Sequence, residues 1–121
     1  MRGLNKVCLI GNTGKVPEYQ RLEGGNSIAK LTLATTEVFK DKNGQQHSQT
    51  EWHTVILWGA LADLAMEYLK KGSLVFIEGK LKTLSYGDRE GHKRYVTEVV
   101  AEQLIMLDKK NYEDKNHGQS F

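Results

Sequence analysis

Between residues 50 and 69 the apolar pattern changes its period once, and that change narrows the folds open to the chain. Residues 50–58 read Thr-Glu-Trp-His-Thr-Val-Ile-Leu-Trp, a run rich in β-branched and aromatic side chains that suit a strand. Leu61, Leu64, Ala65, Tyr68 and Leu69 then recur at i, i+3, i+4, i+7 and i+8, the stripe of an amphipathic helix. Lys70 and Lys71 supply positive charge for its last turn and Gly72 a stop.

Strand patterns surround this helix. Residues 5–12 contain the apolar run Val7-Cys8-Leu9-Ile10 and end in a Gly-Asn turn signal. Residues 13–27 hold the only proline, Pro17, and the Gly24-Gly25-Asn26-Ser27 cluster, so they read as a long connection with room for a short strand near residues 19–22. In residues 28–39, Ala29, Leu31 and Leu33 alternate with Lys30 and Thr32, as in a half-buried strand. Asp41-Lys42-Asn43-Gly44 is a turn, followed by a polar loop through Gln49. Strands return at 73–84 and 93–107, joined across Gly87-Asp88-Arg89-Glu90-Gly91. The last has apolar residues at both parities (Val96, Val100 and Leu104; Val99, Ala101 and Ile105), the pattern of a strand buried on both faces.

The order β-β-β-α-β-β predicts a mainly all-β fold: a five-stranded OB-fold Greek-key barrel with one α-helix between strands 3 and 4. An open five-stranded sandwich with an attached helix competes, but closure leaves fewer exposed edges. With 121 residues the chain fits one domain, residues 1–107, and the polar residues 108–121 read as a short flexible C-terminal tail. The lone Cys8 lies in an apolar run, where a buried small hydrophobe is expected rather than a reactive thiol. A single cysteine is compatible with a reducing cytoplasm. No membrane span or signal peptide is legible.

Catalysis finds no support. His47, His53, His92 and His117 lack close metal-ligand spacing, and Gly24-Gly25-Asn26 lacks the lysine and helix of a phosphate loop. No catalytic residue, metal or cofactor is expected. The net charge is only +2, so an anion-binding role must come from arrangement. Trp52 and Trp58 share one face of a regular strand, about 20 Å apart. They are either core or an exposed pair awaiting a partner. The barrel wiring favours exposure, because Val55 and Leu57 can fill the interior from the other face. Flat rings with neighbouring cations, Phe39 beside Lys40 and Lys42, Tyr86 after Lys80 and Lys82, suit unpaired bases and phosphates.

Seven segments carry a resemblance: Arg2-Gly3-Leu4-Asn5-Lys6-Val7, Leu9-Ile10-Gly11-Asn12, Leu33-Ala34-Thr35-Thr36-Glu37, Gln49-Thr50-Glu51-Trp52-His53, Tyr68-Leu69-Lys70-Lys71-Gly72-Ser73, Ile77-Glu78-Gly79 and Arg94-Tyr95-Val96-Thr97-Glu98-Val99. In this order and spacing the chain resembles the bacterial single-stranded DNA-binding proteins. The resemblance implies an OB-fold homotetramer in the cytoplasm, associated with the nucleoid, that binds and protects single-stranded DNA in replication, recombination and repair. It implies base stacking by Phe39, Trp52, Trp58 and Tyr86, and phosphate contacts from Arg2, Lys6, Lys42, Lys71 and Lys82. His53 and Phe76 match subunit-interface positions.

Three departures qualify that implication. Thr54, Ala60 and Leu84-Ser85 stand where relatives carry basic residues, which implies fewer phosphate contacts and a shallower salt dependence. The long linker is missing, and the acidic C-terminal tip is replaced by Gln119-Ser120-Phe121, which weakens the case for tail-mediated recruitment of replication and repair enzymes. An OB-fold RNA-binding or primosome-like accessory protein, a small nuclease and a protein-interaction module remain as alternatives.

Overall fold

The computed structural model describes residues 1–108. Among them the chain forms β1 (Val7–Thr13), β2 (Glu18–Arg21), β3 (Ser27–Lys40), β4 (Gln46–Trp58), α1 (Ala60–Tyr68), β5 (Leu74–Gly87) and β6 (Lys93–Met106). Alternation in β3 and β4 generates the core. Their antiparallel register sets Ala29 opposite Leu57 and Leu31 opposite Val55, and all four side chains are fully buried. Val75 and Ile77 of β5 and Val99 of β6 join from the opposite wall, and Ala62, Ala65 and Leu69 bring the helix against one end.

The strands follow one another around the sheet as β1-β5-β6-β4-β3, and β1 returns to β3 through Asn12↔Ala34 and Thr13↔Leu33. That closes a five-stranded barrel, with β4 and β6 parallel at Val55↔Val99 and Ile56↔Val100. The short β2 adds to the first half of β3 at the outside, with Tyr19 opposite Ala29. The expected OB wiring is therefore present, and the helix connects the third and fourth barrel strands, β4 and β5. Among the described residues no helix is long and apolar enough to cross a membrane.

Four local expectations need correction. The polar loop ahead of Thr50 is strand: β4 starts at Gln46 because the β3–β4 hairpin stays paired out to Lys40↔Gln46. The helix ends at Tyr68, so Lys70 and Lys71 lie beyond it; Leu69 is already extended. Cys8 is exposed, because Val7, Leu9 and Gly11 take the inward positions of β1. Finally, β6 is not buried on both faces. A bulge between Glu78 and Gly79 pairs Glu78 with Gln103 but Gly79 with Ala101, leaving Glu102 unpaired. One extra residue switches the inward parity, so Val99 and Ala101 face the core on one side of it and Leu104 on the other. The expected flexible tail lies outside the described residues except for Asp108, whose carboxylate accepts a hydrogen bond from the Leu74 amide at 3.0 Å.

The first turn of α1 is docked by polar contacts. Tyr19 donates to Asp63 Oδ1 at 2.7 Å, and the buried Ser27 hydroxyl donates to the same oxygen at 2.7 Å. These donors, Tyr19 first and Ser27 next, hold the Asp63 carboxyl below its ordinary range. A depressed carboxyl adds stability that is complete above the ordinary carboxylate pKa and is lost as pH falls through the lowered folded value. Asp63→Asn is accordingly expected to lower the thermal midpoint at pH 7. The gap to the parent should close as acid protonates Asp63 in the parent; thermal scans between pH 7 and pH 2 check this.

Candidate nucleic-acid interface

One outer face of the barrel carries three of the four expected stacking rings, Trp52, Trp58 and Tyr86. Val55 and Leu57 point inward, so Trp52, Thr54, Ile56 and Trp58 take the alternate positions of β4. Trp52 is 61% exposed and Trp58 43%, so neither indole is sealed in the subunit. The parallel step Ile56↔Val100 carries this face onto β6, and the pairs Lys82↔Glu98, Leu84↔Val96 and Tyr86↔Arg94 carry it onto β5. Tyr86 is 55% exposed. A shallow hollow of about 340 Å³ lies beside Trp58, floored by Ile28, Ile56 and Val100 and flanked by Lys82, Leu84 and Glu98. An apolar floor, the Trp58 ring and a lysine at the margin can accept a flat base with its phosphate toward the cation.

Phe39 does not share this face. It stands opposite His47 on the β3–β4 hairpin, at the same parity as Leu31 and Leu33. The hairpin extends past the barrel here, so a position that would be core lower down is solvated and Phe39 stays exposed. A ligand touching both Trp52 and Phe39 must therefore pass around the hairpin. The expected cations are dispersed likewise. Lys82 belongs to the tryptophan face, and Lys42 is exposed in the hairpin turn. Arg2 is exposed ahead of β1, and Lys71 is exposed in the turn after α1. Lys6 pairs with Glu78 at 3.5 Å.

His53 is half-buried at the inward parity of β4, 2.8 Å from the Thr35 hydroxyl. Phe76 is half-buried on the outer parity of β5, in a cross-strand row with the exposed Ile10 and Ile105. The two expected interface residues thus lie on different faces of the sheet.

Two residues of the site escaped the sequence reading. Gly14 donates its amide to Thr32 at 2.8 Å, and a Cβ built on it would sit 2.7 Å from Cζ3 of Trp52. The indole edge therefore rests on bare backbone; in sequence Gly14 is one unmarked residue of the 13–27 connection. His47 is stacked on Phe39, with ring centroids 5.5 Å apart and planes at 26°. Its Nε2 lies 2.8 Å from Asp41 Oδ2. That contact, with the amide of Gln45, holds the Asp41 carboxyl below its ordinary range. At the other hairpin, Asp88, Glu90 and His92 gather within 4.8 Å, a grouping that histidine spacing alone did not reveal. Asp88 is already engaged by the amides of Glu90 and His92 and by Arg94 Nε at 2.9 Å.

Comparison with known proteins bears on the family and the fold. The model of the Single-strand binding protein family matches residues 4–107. Single-stranded DNA-binding protein 1 of Chlorobaculum tepidum is 49% identical over 111 residues, 91% of this chain and 68% of that protein. Among solved structures, the Plasmodium falciparum SSB complex with ssDNA matches with a TM-score of 0.83 at 33% identity, covering 89% of this chain and 98% of that one. A deletion mutant of the single-stranded DNA-binding protein from Thermus aquaticus matches with a TM-score of 0.76 at 36% identity. It covers 88% of this chain, which spans about half (52%) of that longer protein.

Proposed function

The chain belongs to the single-strand binding protein family, and from that membership we propose that it binds and protects single-stranded DNA without regard to sequence. The observation that carries this reading is the outward exposure of Trp52, Trp58 and Tyr86 on one continuous sheet face. Every base has a π face to stack, and rings flanked by cations recognise that shared feature rather than a hydrogen-bonding code. Trp52, Trp58 and Tyr86 serve as stacking platforms on the barrel, and Phe39 serves as one on the hairpin. Arg2, Lys6, Lys42, Lys71 and Lys82 serve the phosphates, with Lys6 exchanging Glu78 for the strand. The dispersion of these groups over two faces favours a strand that wraps rather than one that crosses once. Thr54, Ala60 and Leu84-Ser85 add no cation, so the salt dependence is shallower than it would be with basic residues there.

The corresponding assembly is a homotetramer. The apolar row Ile10–Phe76–Ile105 offers a surface for a symmetric copy to cover, and His53 is the second contact assigned to subunit interfaces. Residues 1–107 form the DNA-binding domain. The role is that of a binding protein in replication, recombination and repair, in the cytoplasm with the nucleoid.

Competition tests it. A labelled dT oligonucleotide bound to the chain is expected to be displaced by unlabelled poly-dT and poorly by duplex DNA or matched RNA. Displacement by RNA at lower concentration supports an RNA-binding accessory role, and cleavage of the labelled strand with a divalent metal supports a nuclease. Light scattering should give four times the chain mass.

A further inference from the structure

The β3–β4 hairpin has no core beneath its outer half, yet one of its rings is held in place. Asp41 Oδ1 accepts hydrogen bonds from the amides of Asn43 and Gln45, both at 2.9 Å, which fixes the carboxylate within the turn. Its other oxygen faces His47 Nε2 at 2.8 Å. A carboxylate only accepts, so Nε2 carries the proton and donates it. That hydrogen bond orients the imidazole, and the oriented imidazole lies in an offset stack on Phe39, its partner directly across the hairpin.

We infer that His47 is a positioning residue for Phe39, which makes the hairpin arm a two-ring platform for one nucleobase. The inference rests on the single-stranded DNA reading above and adds to it a residue that the aromatic pattern did not select. An exposed phenylalanine on a free strand arm samples several rotamers, and stacking a base on it requires ordering that side chain. The chain from turn to Asp41 to His47 to Phe39 supplies this order before the strand arrives. Losing preorganisation of one side chain weakens binding about three- to tenfold. The action is through ring contact, so the number of phosphates neutralised does not change.

The test compares His47→Gln, which keeps a hydrogen-bond donor but removes the ring, with His47→Phe, which keeps a ring but loses the donor. Affinity for poly-dT is measured over a salt series at pH 8, with Phe39→Ala and Phe39→Ala/His47→Gln completing a cycle. His47→Gln is expected to bind about three- to tenfold more weakly with an unchanged salt slope. His47→Phe, which keeps the ring contact without its tether to Asp41, should recover part of that loss, and His47→Gln should add little once Phe39 is gone. The inference is overturned if His47→Gln binds like the parent, if His47→Phe is as weak as His47→Gln, or if the slope falls by about one phosphate contact. It is also overturned if the loss persists at full size without Phe39. Absence of poly-dT binding by the parent would instead reject the functional reading itself.

Discussion

Trp52→Ala is expected to bind poly-dT about 5- to 150-fold more weakly than the parent, the cost of losing one stacked base at ~1–3 kcal/mol. The indole is 61% exposed, stands opposite Ala34 across the sheet and rests one edge on Gly14, so a face is free for a base. For the same reason little stability depends on it. The side chain lies outside the buried cluster built from Leu31, Leu33, Val55 and Leu57. The thermal midpoint of the variant should therefore stay near that of the parent. Titration of a labelled dT oligonucleotide gives the affinity, and a thermal scan gives the control. Loss of folded structure in Trp52→Ala would show that the ring is part of the core after all.

The second large effect falls on the fold. Gly79→Ala is expected to destabilise the chain by about 3 kcal/mol, the upper end of ordinary overpacking costs, which lowers the thermal midpoint by roughly 10 °C. Gly79 sits at the β5–β6 bulge, and a Cβ there would run into the carbonyl of Val100, closer than real side chains approach backbone. The obstruction is main chain inside a closed barrel, so it cannot swing aside as a flexible side chain would. Gly87→Ala, on the same strand with nothing near the added carbon, is the matched control and should melt close to the parent. Equal midpoints for the two variants would mean that the bulge has room that its geometry does not indicate.

What the sequence revealed follows from what burial writes into it. Ala29, Leu31, Leu33, Val55 and Leu57 alternate because one face of each strand lines the core, and that alternation, with the helical stripe Leu61, Leu64, Ala65, Tyr68 and Leu69 after it, points to strands, helix and barrel. Where neither face is buried, no alternation is enforced. The arm 46–49 therefore reads as a polar loop although it is strand. The same absence hides the platform there: His47 reads as an isolated histidine until the register sets it across from Phe39. The bulge at Glu78/Gly79 shifts the inward parity of β6, and a shifted parity cannot be told from two-sided burial in a linear pattern.

The aromatic site was legible in kind but not in layout. The barrel wiring favours an outward Trp52 and Trp58, since Val55 and Leu57 can fill the core, and both rings are exposed. Tyr86 joins them only through the pairing Tyr86↔Arg94 and the parallel β4–β6 step, which are long-range facts. Phe39 faces the other way because the hairpin carries its inward parity beyond the barrel into solvent. Cys8 shows the converse error. A run of apolar residues on β1 suggests burial for each, yet strand geometry turns every second one outward, leaving Cys8 and Ile10 exposed beside Phe76.

The most direct measurement is intrinsic tryptophan fluorescence during titration with poly-dT at several salt concentrations. Both indoles look outward into the proposed path, so emission should quench to saturation as bases cover them. The quench should reverse as salt displaces the strand from its lysines. Emission that stays constant while poly-dT is added at low salt would contradict the claim that these rings receive the nucleobases.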